Sequence, residues 1–147
     1  MREIKFRVWC KQNETIQTVS KIGFMEDKLW YVEDEDHETQ PPYFEDDDDW
    51  VLMQFTGLKD KDDNEIYEGD IVLLKNEFTT WKGTVVFDEG AFKLSIKHSW
   101  GTSVEHFNKT NVFNDMGARI QLNNIYLVVG NIYENPELLE DSQNGTK

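Results

Sequence analysis

One stretch, residues 52–74, constrains the fold of this 147-residue chain more than any other. It reads LMQFTGLKDKDDNEIYEGDIVLL, in which two apolar runs, Leu52–Phe55 and Ile71–Leu74, enclose a segment rich in Asp, Asn, Lys and Gly. Short apolar runs bounded by turn-forming residues are typical of β-strands, and such a polar segment is typical of a connection where the chain reverses. The stretch therefore predicts two strands joined by a charged connection.

Glycine and polar residues in this stretch and near the end of the chain are expected to shape turns. Glycine accepts backbone angles that cost other residues energy, and Asp accepts hydrogen bonds from nearby backbone N–H groups, so Glu68-Gly69-Asp70 suits a tight entry into the second strand. Asn135-Pro136 predicts a final turn and a short helix over residues 136–140, because proline suits the first helical position. The residues interpreted as structural are Gly57, Tyr67, Gly69, Asp70, Gly130, Asn131, Asn135 and Pro136.

Three segments of the chain carry a family resemblance. They read REIKFRVW at the start, LMQFTGLKDKDDNEIYEGDIV in the centre and VVGNIYENPELL near the end. In these segments the chain resembles the YopX family, small proteins of phages and prophages in Gram-positive bacteria. The family has no established biochemical activity, so the resemblance implies a genetic context in a bacterial host rather than a mechanism.

The charge of the chain is strongly negative and unevenly spread. The formal net charge is −14, and residues 26–49 alone hold twelve acidic residues and one basic residue. Such a surface repels nucleic acids and anionic membranes, because Lys and Arg provide most of the attraction to both. A single cysteine forms no internal disulfide, no signal peptide is visible, and no apolar run reaches the roughly 18 residues that span a bilayer. We therefore expect a cytoplasmic protein that binds neither nucleic acid nor membranes directly.

Alternating apolar and polar residues predict a mainly β fold of short antiparallel strands. Outside the central stretch, strands are expected over residues 3–9, 15–20, 28–32, 80–87, 91–96, 120–122 and 125–133. The last of these is apolar enough to be a central strand, and Asp88-Glu89-Gly90 predicts a hairpin turn. Residues 97–117 are left open between a short helix and a loop, because the spacing of their apolar residues suits a helix but their Gly, Asn and Thr do not.

The strand order around residues 52–96 is similar to part of a small SH3-like barrel, an analogy that gives no function by itself. We expect N-terminal strands and an acidic loop in residues 1–49 and a central β module over residues 50–135. Residues 136–147 are expected to form a C-terminal turn or helix and a frayed tail. The three parts are also compatible with one composite domain.

No catalytic, cofactor-binding or metal-binding pattern stands out. Asp60, Asp62 and Asn64 match the first three ligand positions of an EF-hand loop, but Glu65 stands where that loop needs Gly and Ile71 where it needs Glu. The three histidines lack metal-ligand spacing, and the single cysteine is interpreted as a packed thiol. Phosphate-binding and nucleophile-elbow patterns are absent. We expect no cofactor and no enzymatic activity.

The acidic segment offers a candidate docking site for a partner, formed by Glu45, Asp46, Asp47, Asp48 and Asp49. In an extended chain these charges lie about 3.3 Å apart, near the spacing along one DNA strand. Over residues 26–49 the net charge falls to one per about 7 Å, well below the roughly 1.7 Å of duplex DNA. An acidic DNA mimic that inhibits a host DNA-binding protein is therefore an alternative function, and an enzyme with an unrecognised site is a second.

The function expected first is that of a non-enzymatic accessory protein that acts through protein–protein contacts. Exposed edges of short strands invite pairing between copies, and closed homo-oligomers are a common way to cover them. Aromatic residues make up 13% of the chain; most should be core, although Trp and Tyr also suit binding platforms. The expected partners are a second copy of the chain and an unknown protein.

Overall fold

The computed structural model describes residues 3–11, 14–26, 28–34, 50–75, 80–106, 112–113, 119–120 and 126–140. Within these residues the chain is almost entirely β-structure, as predicted. The strands are β1 (Phe6–Cys10), β2 (Thr15–Met25), β3 (Lys28–Asp34), β4 (Trp50–Lys59), β5 (Glu65–Tyr67), β6 (Asp70–Lys75), β7 (Thr80–Asp88), β8 (Ala91–His98), β9 (Gly101–His106), β10 (Val112–Phe113), β11 (Arg119–Ile120) and β12 (Tyr126–Asn131). The helix α1 is Glu137–Glu140. In the described part of the chain, no helix is long and apolar enough to cross a membrane.

Two antiparallel sheets contain most of the strands. Their strand orders are β3-β2-β1-β4-β5 and β12-β6-β7-β8-β9, while β10 and β11 pair with each other. The chain divides into two compact units, residues 1–55 and residues 56–147, and strand β4 passes from the first into the second.

In the first unit, strand β1 lies between β2 and β4. Val8 pairs with Gln17 on one side and with Leu52 on the other, and its side chain is fully buried. Met53 and Phe55 on β4 are buried as well. The alternation that predicted a half-buried first strand therefore places its apolar residues in the interior of this unit.

In the second unit, one face of the five-stranded sheet forms the core. The buried side chains of this core are Ile66, Val72, Leu74, Val85, Leu94, Ile96 and Tyr126. Gly83 lies between Val72 and Ile96 in the pairing of β6, β7 and β8. A Cβ atom at Gly83 would lie 3.3 Å from the Ile96 Cγ1 atom, so the glycine makes room for the larger neighbours.

The hairpin predicted at Asp88-Glu89-Gly90 is confirmed. Asp88 pairs with Ala91, which leaves Glu89 and Gly90 as a two-residue turn. Their φ angles are 49° and 79°, and positive φ at both central residues is the signature of a type I′ turn. This turn matches the right-handed twist of β7 and β8, so the local sequence sets their register.

The helix-or-loop expectation for residues 97–117 is wrong for the part that the structure describes. Residues 101–106 form strand β9, which pairs with β8 from Lys93↔His106 to His98↔Gly101. Ser99 and Trp100 form the turn between the two strands. Pairing with β8 overrides weak local preferences here, because strand formation depends on neighbours more than on intrinsic propensity.

The central stretch also differs from the expected arrangement of two strands. A third short strand, β5, follows the charged turn, and β4 neighbours β5 whereas β6 belongs to the other sheet. The chain reverses direction where predicted, but the reversal joins β4 to β5.

The strand predicted over residues 125–133 is correct in type and wrong in position. β12 lies at the edge of its sheet beside β6. Its apolar residues are half-buried, apart from the buried Tyr126, so an apolar run does not require a central place in the strand order.

The short C-terminal helix is confirmed, and it begins directly after Pro136. The Lys82 Nζ atom on β7 donates a 2.8 Å hydrogen bond to the Leu138 carbonyl oxygen. A cation near the last carbonyl groups stabilises a helix end. The barrel analogy is not confirmed, since the described strands form no closed barrel.

Replacing a core side chain tests this packing. Leu94→Ala should lower the free energy of unfolding by about 2–5 kcal/mol, because it removes a buried side chain from the middle of the core and leaves a cavity. Urea unfolding followed by circular dichroism measures the loss. Lys97→Ala, at an exposed position of the same strand, should change the free energy by less than about 0.5 kcal/mol. Equal effects of the two substitutions would contradict the core described above.

Candidate functional site

The carboxylate of Asp60 is the most heavily hydrogen-bonded side chain in the central connection. Asp60 lies in the turn that follows β4 and is only 5% exposed. Its Oδ1 atom accepts hydrogen bonds of 2.9 Å from the backbone N–H groups of Asp62 and Asn64. Its Oδ2 atom accepts bonds from the Val128 N–H at 2.9 Å and from the Asn64 side-chain amide at 3.3 Å. One side chain therefore joins its own turn to β12.

These contacts decide both the charge and the chemistry of Asp60. Burial by itself raises the pKa of Asp60, but the hydrogen bonds from Val128, Asn64 and Asp62 outweigh it, so the pKa lies below the ordinary value of 3.8. A carboxylate offers about four acceptor positions, and N–H donors occupy all four. The residues that resembled the start of an EF-hand thus form a turn in which the Asp60 oxygens already have partners.

Asp70 and Gly69 have a similar structural role at the entry to β6. The buried Asp70 carboxylate accepts a 2.8 Å hydrogen bond from the Tyr67 N–H. Gly69 has a φ of 83°, a value that favours glycine. Its N–H donates to the Val85 carbonyl at 2.8 Å and its carbonyl accepts from the Ile132 N–H at 2.9 Å. The entry into β6 is thereby tied to β7 and to the turn after β12.

The turn after β12 is organised by two asparagines. The Asn131 Oδ1 atom accepts hydrogen bonds from the N–H groups of Tyr133 and Glu134, at 3.0 and 2.8 Å. The Asn135 Oδ1 atom accepts a 3.2 Å bond from the Asn131 N–H. Gly130 is packed so tightly that a Cβ atom there would lie 2.5 Å from Asn135 Oδ1. Pro136 follows directly and leads into α1.

We call this set of residues the polar junction: Asp60, Tyr67, Gly69, Asp70, Gly130, Asn131 and Asn135. It brings together two stretches that lie about sixty residues apart, as the pairing of Asp70 with Asn131 and the bond from Val128 to Asp60 show. Gly57 lies outside it, within β4, with a φ of 89°. From the sequence, Asp60 was considered only as a calcium ligand, and its structural role was missed. An Asp two residues before another turn-forming residue is a pattern of Asx turns, and this pattern could have indicated the role.

The predicted docking residues Glu45, Asp46, Asp47, Asp48 and Asp49 lie outside the described residues. In the part of the chain that is described, no group of three or more His, Cys, Asp or Glu side chains is placed to hold a metal ion. Cys10 is buried, as expected for a packed thiol.

A cluster of aromatic side chains lies at one end of the second sheet; we call Trp81, His98 and Trp100 the aromatic end. Gly83 pairs with Ile96; Trp81 lies two residues before Gly83 on β7, and His98 lies two residues after Ile96 on β8. The Trp100 ring stacks on His98 with centroids 4.7 Å apart and an interplanar angle of 6°. The His98 Nε2 and Ser103 Oγ atoms share a 2.8 Å hydrogen bond, which fixes the imidazole under the indole.

The two tryptophans of the aromatic end are exposed. Trp100 is 74% exposed and Trp81 is 42% exposed. Among residues 80–87 and 92–104 the only charged side chains at pH 7 are those of lysines. These exposed rings offer apolar surface that a partner can cover.

Tyr126 is the other described residue with a clearly shifted pKa. Burial raises its pKa to about 12, with a further contribution from the negative charge of Glu105. The phenol therefore stays protonated at neutral pH. Tyr126 lies on β12 and Glu105 on β9, at the two opposite edges of the same sheet.

Comparisons with known proteins give a family and solved structures of similar fold. The sequence model of the family described as YopX protein matches residues 5–140. The crystal structure of protein EF1440 from Enterococcus faecalis is similar in fold, with 25% sequence identity and a TM-score of 0.55, over 95% of this chain and 99% of that chain. A search of the curated proteins finds no match.

Asp60→Asn tests the polar junction. The amide nitrogen of Asn cannot accept hydrogen bonds, so partly buried N–H donors lose their partner, and we expect a loss of about 1–3 kcal/mol in the free energy of unfolding at pH 7. Asp62→Asn, at an exposed position of the same turn, is the matched control and should lose less than about 0.5 kcal/mol.

The pH dependence of unfolding tests how ionised Asp60 contributes to the stability of the folded protein. Because the folded-state pKa is lowered, the stability from ionised Asp60 is complete above the ordinary value of 3.8 and disappears as the pH falls through the lower folded-state value. Between pH 5 and pH 2, the chain with Asp60 should lose more stability than Asp60→Asn does. Parallel curves for the two proteins would contradict the assignment.

Gly130→Ala tests the close approach in the last turn. The new Cβ atom would clash with the Asn135 side chain, and overpacking of this kind costs about 1–3 kcal/mol. In an Asn135→Gly background the same substitution should cost clearly less, because the clashing atoms are gone. Thermal unfolding of the four proteins of this cycle measures the coupling, and additive losses would show that the two residues do not meet.

Proposed function

The chain belongs to the YopX family, and on that premise we propose that it is a phage- or prophage-derived accessory protein that acts through protein–protein contacts and self-association, without catalysing a reaction. Its place of action in this proposal is the cytoplasm of the bacterial host. The observation that carries the proposal is the aromatic end, formed by Trp81, His98 and Trp100.

The geometry of the aromatic end supports a role in binding a protein. Tryptophan is among the residues that contribute most to protein–protein interfaces, since it combines a large apolar area with few rotatable bonds. Trp100 is held by stacking on His98, and His98 is held in turn by Ser103. An exposed side chain that is already fixed loses little conformational entropy when a partner covers it.

The use of polar side chains in the second unit supports a non-enzymatic role. Proton transfer requires a group whose protonation can change during the reaction. The carboxylates of Asp60 and Asp70 accept hydrogen bonds from backbone N–H groups, and Asn131 caps a turn. These polar residues lie in the segments that resemble the family, and their side chains stabilise turns.

The SH3-like character of the second unit belongs to the same proposal. Strands β6 to β9 follow one another as a meander, and β12 returns to lie beside β6. Closing such a sheet requires its two edges to approach each other. Tyr126 on β12 packs in the same core cluster as Leu94 and Ile96 on β8, which supports a sheet that curves around its core.

Removing the aromatic end tests the proposed function. We expect the intact protein to retain a host protein in an affinity pull-down, and Trp81→Ala/Trp100→Ala to lose it. With the purified partner, the affinity of the double variant should fall at least about tenfold, as is typical when central interface tryptophans are truncated.

Phe87→Ala is the matched control, since Phe87 is an exposed aromatic residue on β7, six positions from Trp81. It should bind as the unchanged protein does. Equal binding by all three proteins would exclude the aromatic end as the docking surface, and the absence of any partner in the host would contradict the proposed role in binding a host protein.

A further inference from the structure

We propose that strand β9 is the surface through which two copies of the chain associate, by pairing edge to edge across a two-fold axis at Val104. The inference rests on the self-association included in the proposed function and names the strand, the register and the symmetry. The partner is a second copy of this chain.

Strand β9 is the least protected sheet edge in the described part of the chain. Of the four outer strands, β5 has three residues, and the pairings of β12 and β3 with their neighbours contain register shifts. Short edges and irregular pairing are devices that prevent edge-to-edge association. β9 has six residues in unbroken register with β8 and contains neither Lys nor Pro.

The side chains of β9 suit pairing with an identical strand. When a two-fold axis relates two antiparallel edge strands, the equivalent faces of the two sheets lie on the same side. One residue of the strand must then lie directly opposite the same residue of the second copy. Val104 is 50% exposed, and pairing it with Val104 of the second copy covers apolar surface with a β-branched cross-strand pair. In this register Glu105 lies opposite Ser103, and Thr102 lies opposite residue 106.

Charge distinguishes this register from its neighbour. Moving the axis by one residue to Glu105 would place two carboxylates directly opposite each other, which is destabilising. The long-range repulsion between two chains of net charge −14 also opposes association. Because salt screens that repulsion, association through β9 should strengthen with ionic strength, whereas contacts made by the acidic residues should weaken.

Disulfide trapping tests the strand and the register together. In a Cys10→Ala background, Val104→Cys places two thiols on the axis, where cross-strand Cβ atoms lie about 4.5–5.5 Å apart and a disulfide can form. Thr102→Cys is the matched control on the same face of the same strand. Its two copies would be four residues out of register, about 13 Å along the strands, too far for a disulfide.

Mild oxidation followed by non-reducing electrophoresis should convert most of Val104→Cys into covalent dimer, while Thr102→Cys stays at the level of the cysteine-free background. Light scattering on the unchanged protein should give the mass of a dimer, with a larger dimer fraction in higher salt. These results together would support the proposal.

Two outcomes would overturn it, and they differ in what they leave standing. An oligomer by light scattering without trapping at Val104, or with equal trapping at Thr102, would reject β9 pairing and leave self-association in place. A monomer at every concentration and salt would reject both β9 pairing and the self-association of the proposed function, while binding through the aromatic end would stand on its own test.

Discussion

The hydrogen bonds accepted by the buried Asp60 carboxylate are the interaction on which the second unit of this protein depends most. The carboxylate accepts the Val128 N–H of β12 and two N–H groups of its own turn, all at 2.9 Å. Val128 lies beside the register shift in the pairing of β12 with β6. A carboxylate accepts hydrogen bonds from these partly buried donors, whereas an apolar side chain would leave them without a protein partner. The same contact determines how the turn after β4 meets the last strand.

The polar junction and the surfaces proposed for binding lie in different parts of the second unit. The junction joins β6, β12 and the turns that flank them, whereas the aromatic end and the edge at Val104 belong to β7, β8 and β9. This division has a physical consequence, because substitutions in the junction change stability, while substitutions at Trp100 or Val104 leave the core intact. Stability and recognition can therefore be tested separately, which is seldom possible when one cluster of residues serves both.

The sequence predicted the features that local chemistry determines. Asp88-Glu89-Gly90 formed the expected hairpin turn because Gly90 readily accepts positive φ, and Pro136 preceded the expected helix. β9 was missed because its strand character comes from pairing with β8, and the aromatic end was missed because only the pairing of β7 with β8 places Trp81 and His98 at the same end of the sheet. The boundaries of the predicted domains and the function of residues 45–49 stay predictions.

The most direct test of the account is an NMR titration of the Asp60 carboxyl carbon, followed together with the amide signal of Val128. The account predicts that Asp60 titrates below its ordinary value of 3.8, and that the Val128 amide shifts with the same midpoint, because protonation removes the acceptor of its hydrogen bond. A pKa at or above 3.8, or a Val128 amide that does not respond to the titration, would contradict the role of Asp60 as the link between the central connection and the last strand.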